Sequence, residues 1–490
     1  MTLRAHSASL DHDPSRVVSR FFLPGEGTPT AHSRMSQIIE RVLAMPPREL
    51  DDVARGILAD FATQQPDAEG VLTMNARAVT DRVTAHRRLT PAQLVVVGSA
   101  FTAQFAVEGA ALCNPSAVVH PSQDDLGEDE LRVAVSLRCI GEGHISSIGF
   151  AEAVIGADDT WTFMPRRAPL ERGEISGGEW SRSHFGHALD AEDKLDDLAS
   201  AVIPTLPERF GVGHLETAID SLHPQLVRRP SSRSTLSALR EVAESAYRAR
   251  FSADVGLSGR VLLPVVPDED HGVEDARFVR FLGGDDAPQY RATYTAYNGR
   301  DIAPRLLTSP DLLSFESHRL TGSGARNKGM ALFPRLIHGR HLAVSRGDGE
   351  NISLAGSDDG LVWEDLGILY APTEIWELIQ LGNCGAPIET SEGWLVLTHG
   401  VGPLRTYSLG ALLLDLDDPT RVIRRARVPL LRPEGEAMNG YVPRVVYSCG
   451  GILHRDTVWI PVGVGDSRIR VYSIALDALW DAMPETRFAL

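Results

Sequence analysis

The chain has 490 residues, 43% apolar and 23% charged, with a formal charge of −17. That length admits roughly two to four domains, or one large domain with additions, and the apolar share can fill a sizeable core. The acidic balance argues against a nucleic-acid partner, which needs dense Lys and Arg, but not against a local basic pocket for a small anion.

The opening residues, MTLRAHSASLDHDPSR, lack the apolar stretch of a signal peptide, and no apolar run approaches the ~20 residues that span a membrane. Cys113, Cys139, Cys384 and Cys449 stand far apart and form no CxxC pair, so neither a zinc knot nor a disulfide framework is indicated. A cytoplasmic protein with reduced, buried cysteines is expected. No HExxH or similar spacing is present, and no metal site is expected.

Residues 1–110 read as a mostly helical N-terminal extension. Between Pro46 and Gln64, Leu50, Val53, Ile57, Leu58 and Phe61 fall near helical spacing, with prolines at the start. Leu94 to Val107 is a second apolar stretch expected to be helical. Residues 111–188 change to short β-type runs, among them LRVAVSLRCI and ISSIGFAEAV, with polar or glycine-containing turns between them. Residues 189–251 return to helix. Leu195, Leu198 and Val202 mark one face, and Leu236, Leu239, Val242, Ala243 and Tyr247 another, after Pro230 and a serine-rich start suited to capping. Strands resume over 252–490.

A loose repeat runs through the β regions: a small residue, an Asp two later, an aromatic four after that. Ala157, Asp159 and Phe163 fit it, as do Ser309, Asp311 and Phe315, and Ser357, Asp359 and Trp363. It reads as a hairpin turn whose Asp bonds the turn backbone while the aromatic packs beneath. Recurrence at about 40–50 residues suggests propeller blades, although hairpins of other β proteins also produce such matches.

Several segments combine glycine, charge and aromatics. In HGVEDARF, Asp275 lies between Glu274 and Arg277. A neighbouring carboxyl raises a carboxyl pKa and a neighbouring Arg lowers it, so Asp275 is either a proton donor or part of a surface salt bridge. Lys328 and Arg346 flank LFPRLIHGRHLAV, a strand pair that can return both cations to one end, where they suit a phosphate or carboxylate or simply decorate a hairpin. WLVLT delivers His399 into Gly400, as a ligand-facing or a structural histidine. Asp466 follows a Gly-rich strand that allows close backbone approach to a ligand. Asn114 precedes Pro115, an ordinary turn signal.

The order of NPS, a strand-borne Arg138, GVEDAR, NKGMALFP, an Arg ending a strand, LGNCGAPIETSEGWLVLTHGV, LGALLLDLDDP, GYVPRVVYSCG and GVGDSR resembles glycoside hydrolase family 130. These are the inverting β-mannoside phosphorylases and their mannosidase relatives. The resemblance covers roughly residues 110–480 apart from the helical interruption, and the added helices look like the longer subgroup acting on β-1,2-oligomannans. It implies an all-β core, a five-bladed β-propeller with its site at the central mouth, and helical additions that offer homo-oligomer surfaces. It also implies Asp275 as catalytic acid, with Ala276 in place of the usual proline. Lys328, Arg346 and His399 fall on phosphate-holding positions, and Asn114, Arg138, Arg277 and Asp466 on sugar-binding ones. Two departures stand out: Gln380 replaces a phosphate-site lysine, and Arg444 replaces a common asparagine. Gln380 donates hydrogen bonds but lacks charge, which weakens phosphate binding unless Arg326 or Arg405 compensates.

The implied activity is phosphorolysis of β-1,2-mannosides to α-mannose 1-phosphate, with inorganic phosphate as co-substrate and no cofactor. An inverting hydrolase needs a second carboxylate as base, whereas phosphate is already an anion. Two other readings stay open: a β-mannosidase with Glu374, Glu377 or Glu436 as base, and a non-catalytic glycan-binding propeller.

Overall fold

The computed structural model describes residues 3–25, 31–65, 67–83, 88–166, 169–227, 232–283 and 287–485. It divides into two compact units, one of Asp13–Gly109 with Arg167–Glu171, the other of Met1–His12, Ala110–Arg166 and Arg172–Leu490.

The smaller unit holds helices Ala31–Leu43, Pro47–Phe61, Ala68–Val83 and Pro91–Ala100, packed around Ile39, Leu72, Ala76, Val79, Val97 and Phe101. The Pro47–Phe61 helix starts on its proline, where the missing N–H costs nothing. Thr90 caps Pro91–Ala100 by exchanging bonds with Gln93, at 3.2 and 2.9 Å. The apolar stretch Leu94–Val107 is not one helix. It breaks after Ala100, and Thr102–Ala106 pairs antiparallel with Val17–Phe21. The strand partner lies far back in the chain, where local periodicity cannot register it. Arg16 and Glu108 form a buried ion pair of 2.9 Å at the end of this ribbon.

The larger unit is mostly β with helices. Ala111–Val119, Leu131–Ile140, Ser146–Ile155 and Trp161–Phe163 run antiparallel in chain order, and so do Gly272–Phe281, Gln289–Tyr297, Ile302–Ser309 and Ser314–Arg319. A parallel contact between Gly272 and Ser146 joins them in a 12-stranded sheet. Ala331–Leu332, His341–Ser345, Ile352–Ser357 and Glu364–Tyr370 form a four-stranded sheet. Gln380–Asn383, Ile388–Thr390, Gly393–Gly402, Thr406–Leu414 and Val422–Arg425 form a five-stranded one. Gly393–Gly402 is buried along its whole length, which explains why WLVLT is a continuous apolar run. In the last sheet, Val446–Tyr447, Ile452–His454, Thr457–Val464 and Arg468–Ala475 are joined by Arg4–Asp11, which pairs with Arg468–Ala475. The helical reading of the first residues therefore fails at Arg4–Asp11: that strand is completed only by the opposite end of the chain.

Helices Arg182–Ala191, Asp197–Val202, Val212–Asp220, Pro224–Val227 and Ser232–Glu244 enclose Trp180, Phe185, Leu189, Leu215, Leu239 and Val242. They begin earlier than residue 189, because Ser181 caps the first by accepting from the His184 N–H at 3.2 Å. They also end earlier. Tyr247–Arg250 is a strand between Ser314–Arg319 and Glu174–Gly177, so Tyr247 belongs to a sheet and not to the helix face. Pro230 and Ser231, expected to start the last helix, lie outside the described residues.

Beneath these helices lies a buried polar knot. The fully buried Arg305 guanidinium stands 3.3 Å from Asp268 and 3.5 Å from Glu269 and donates to the Ser245 carbonyl. The Tyr294 and Tyr247 hydroxyls donate to Glu269 at 2.5 and 3.2 Å.

The repeated turn has the expected chemistry at two places. Asp311 accepts from the Leu313 and Ser314 N–H groups over buried Phe315, and Asp359 from those of Leu361 and Val362 over buried Trp363. The first match differs: Asp159 bonds Arg455 at 2.7 Å, and Trp161 rather than Phe163 is the buried ring. All four cysteines are buried. Among the described residues no helix is long and apolar enough to cross a membrane.

Candidate active site

One cavity of the larger unit is lined by every site residue singled out from the sequence except Arg277. Two strands are bent to bring the acidic end together. Asn114 (φ 48°) and Asp275 (φ 57°) take the left-handed conformation, each where the ladder slips: between Cys113 and Ser116, and between Glu274 and Arg277. A bulge of this kind re-aims a side chain, and Asn and Asp tolerate the conformation best. The Asn114 amide donates to Asp275 Oδ1. Arg138 reaches Glu274 Oε1 at 2.5 Å and stands 3.7 Å from Asp275 Oδ1.

Arg277 sits behind this pair. It donates to the Asp275 carbonyl and to the Tyr447 hydroxyl, both at 2.9 Å, and is 2% exposed. It supports the acidic residue from behind and does not face the cavity, so direct sugar contact is not the position found for it. Asp466 (φ 46°) follows Gly465 in the turn after Thr457–Val464. The glycines before it serve the protein backbone and not a ligand: a Cβ on Gly463 would stand 3.1 Å from the Asn114 nitrogen.

The charges depart from the simplest reading of GVEDAR. Burial acts to raise the Asp275 carboxyl, but Arg138, Arg277, Lys328 and the Asn114 amide outweigh it and hold it well below the usual carboxylate range. Glu274 is raised by burial and by Asp275, against the pull of Arg138. Asp466 is pushed up to about 6 by burial, with Arg138 opposing and Asp275 reinforcing. In the free protein Asp275 is thus ionised at neutral pH. Arg277 is a neighbour in sequence, but Arg138 and Lys328 come from distant parts of the chain, beyond the reach of an argument from adjacent residues.

Lys328 and Arg346 line the same cavity. They share an end because Ala331 pairs with Val344, the hairpin geometry expected. Arg346 Nη1 donates to His399 Nε2 at 3.2 Å. A guanidinium only donates, so this nitrogen is the acceptor and the ring proton sits on Nδ1, toward Cys384 Sγ 3.8 Å away. Burial, then Arg346 and Arg277, push His399 well below the ordinary imidazole value, leaving it neutral. His399 therefore orients Arg346. Gly382 makes room for both: a Cβ there would lie 2.5 Å from His399 Cε1 and 3.2 Å from Arg346 Cδ. Gln380 faces the same cavity, on a strand paired with Gly393–Gly402.

The wall also includes Tyr407, Val442, Val445 and Tyr447, not singled out from the sequence, and Arg405, one of the two arginines offered to make up for Gln380. The Tyr407 and Tyr447 rings flank His399, with centroids at 6.0 and 4.7 Å. Tyr447 lies inside GYVPRVVYSCG, so its aromatic ring beside a glycine-rich turn was a usable signal. Arg326 and Arg444 do not line the cavity. Nor do the carboxylates suggested as hydrolytic bases. Glu374 pairs with Arg425 at 3.0 Å, Glu377 accepts from the Thr373 and Glu374 N–H groups, and Glu436 pairs with Arg470 at 2.6 Å.

Asn114 Oδ1 and Asp466 Oδ1 are buried without a hydrogen-bond partner, as are the Nε atoms of Arg138 and Arg346. Orphaned acceptors and a cation cluster in one cavity suit a hydroxyl-rich molecule beside an anion.

Residues 257–485 match the profile of a family described as beta-1,4-mannooligosaccharide phosphorylase, glycoside hydrolase family 130. The chain is 36% identical over 238 residues to the 1,2-beta-oligomannan phosphorylase of Thermoanaerobacter sp. (strain X514), covering 46% of this chain and 78% of that protein. It is 36% identical over 216 residues to the beta-1,2-mannobiose phosphorylase of the same organism, covering 43% and 69%. The solved beta-1,2-mannobiose phosphorylase from Listeria innocua, in complex with beta-1,2-mannobiose, aligns at 21% identity and TM-score 0.44, over 77% of this chain and 92% of that one. The chain belongs to glycoside hydrolase family 130. The matched profile begins later than the resemblance over residues 110–480. Asn114 and Arg138 lie outside it and join the site through the fold.

Proposed function

We propose that this protein is an inverting glycoside phosphorylase that cleaves β-1,2-linked mannosides with inorganic phosphate, reversibly, giving α-mannose 1-phosphate. The observation that carries the reading is one cavity lined by Asp275 together with Lys328 and Arg346. The linkage follows the β-1,2-active relatives.

Sugar hydroxyls donate to the unpartnered oxygens of Asn114 and Asp466. Phosphate binds Lys328 and Arg346, the latter aimed by His399. Its negative charge offsets the cations that hold Asp275 ionised, so Asp275 takes up its proton when the anion is bound. A phosphate oxygen then forms a bond to the anomeric carbon as the glycosidic C–O bond breaks from the opposite face. The leaving oxygen takes the Asp275 proton, directly or through a sugar hydroxyl, which leaves Asp275 ionised as in the free protein, and the proton that the phosphate carried is lost to solvent. No base is needed, and the carboxylates suggested for hydrolysis are engaged elsewhere.

We read the successive antiparallel runs as blades of a five-bladed propeller. Its five runs would be those starting at Ala111, Gly272, Ala331, Gln380 and Val446, the last completed by Arg4–Asp11. Residues from each run line the cavity, as a central mouth requires. The burial of all four cysteines supports a cytoplasmic setting.

The reverse reaction tests the activity. Incubation with α-mannose 1-phosphate and mannose should release inorganic phosphate and form a β-1,2-mannoside. Mannose 1-phosphate left unconsumed, by a preparation that cleaves β-1,2-mannobiose, would contradict the proposal.

A further inference from the structure

Gln380 leaves the phosphate end without the cation that the resembled phosphorylases carry there. The cavity contains another. Arg405 lines it together with Gln380, Arg346 and Tyr407. Gln380 pairs with Val401, and Gly402 pairs with Thr406, so the Pro403–Arg405 turn closes the hairpin beside Gln380.

The turn is unusual. Leu404 (φ 60°) and Arg405 (φ 52°) are both left-handed, a conformation uncommon for such side chains. Leu404 is 76% exposed, so the conformation does not serve to bury it. The turn places Arg405 on the wall of the cavity. Arg405 is exposed, and among the described residues its guanidinium has no ion pair and no hydrogen bond. An unmatched guanidinium in a cavity that already holds Lys328 and Arg346 is suited to an added anion, which its planar fork can grip bidentately.

We propose that Arg405 is a phosphate-binding residue that supplies the charge Gln380 lacks. This rests on the phosphorylase reading. Arg405→Ala should raise the KM for phosphate about tenfold or more, as expected for loss of a charge-assisted bond, with a smaller change in the KM for the mannoside. Arg405→Lys should recover most of the loss. Gln380→Lys placed in the Arg405→Ala protein should also recover it, by returning a cation to the older position. An unchanged phosphate KM in Arg405→Ala, with the unmodified enzyme phosphate-dependent, would overturn the proposal. So would a loss that neither lysine variant repairs, since Arg405 would then act only through the shape of the turn. Failure of the phosphorylase reading shows separately, as phosphate-independent cleavage by the unmodified enzyme.

Discussion

Asp275→Asn lowers turnover by at least ~10² while the protein stays folded, because the amide has the carboxyl's shape but no proton to give. It can still accept from Asn114, as the carboxylate does. The variant also has a signature in stability. Asp275 is held below its ordinary value by Arg138, Arg277 and Lys328 against burial, so its ionised form stabilises the fold. That contribution is present above the unfolded pKa and is lost as pH falls through the depressed folded one. Asp275→Asn should therefore be less stable than the unmodified protein at neutral pH, with the difference shrinking on acidification. Turnover and thermal melting across pH check both statements. Near-normal turnover would remove Asp275 from the mechanism. Attention would then pass to Asp466, the other carboxyl on the cavity, pushed up to about 6 mainly by burial.

Arg305→Met has the largest effect expected on stability. Arg305 and Glu269 are both fully buried, and the arginine also bonds the Ser245 carbonyl. Removing one partner leaves the Glu269 carboxylate in a dry site with only hydroxyl donors and the Val265 N–H around it. Breaking such a pair costs about 3–5 kcal/mol. Adding Glu269→Gln removes the stranded charge and should recover part of the loss, the coupling a double-mutant cycle reads. Denaturant midpoints of the single and double variants decide it, and a change below about 1 kcal/mol for Arg305→Met would contradict the account. Arg305 pairs with Tyr294, one strand from the bulge that holds Asp275, so a loss of turnover should follow the loss of stability.

What the sequence made legible depended on how locally each feature is determined. Lys328 and Arg346 share an end because a hairpin lies between them, and hairpins are local. The same holds for the Asp311 and Asp359 turns. Asp275 and Asn114 were recognisable by their motifs, but their contact needs two bulges on strands far apart in the chain. The direction of the Asp275 shift was open in sequence, where Glu274 and Arg277 oppose each other, and Arg138 and Lys328, which converge through the fold, help to set it. Arg277, adjacent in sequence, looked like a ligand contact and proved to stand behind the acid. Arg4–Asp11 carries no apolar alternation strong enough to mark a strand, and its partner is at the far end of the chain. Arg405 could be named only as one of two options until the turn conformation was known. Left-handed Leu and Arg have no sequence signature of the kind glycine provides.

The central claim is that phosphate is the nucleophile. The most direct test is to follow cleavage of β-1,2-mannobiose by the unmodified enzyme with and without inorganic phosphate, identifying the sugar products by proton and phosphorus NMR. The account predicts α-mannose 1-phosphate with one equivalent of mannose when phosphate is present, and negligible cleavage when it is absent. Release of two equivalents of free mannose at the same rate in the absence of phosphate would contradict it and make the protein a hydrolase.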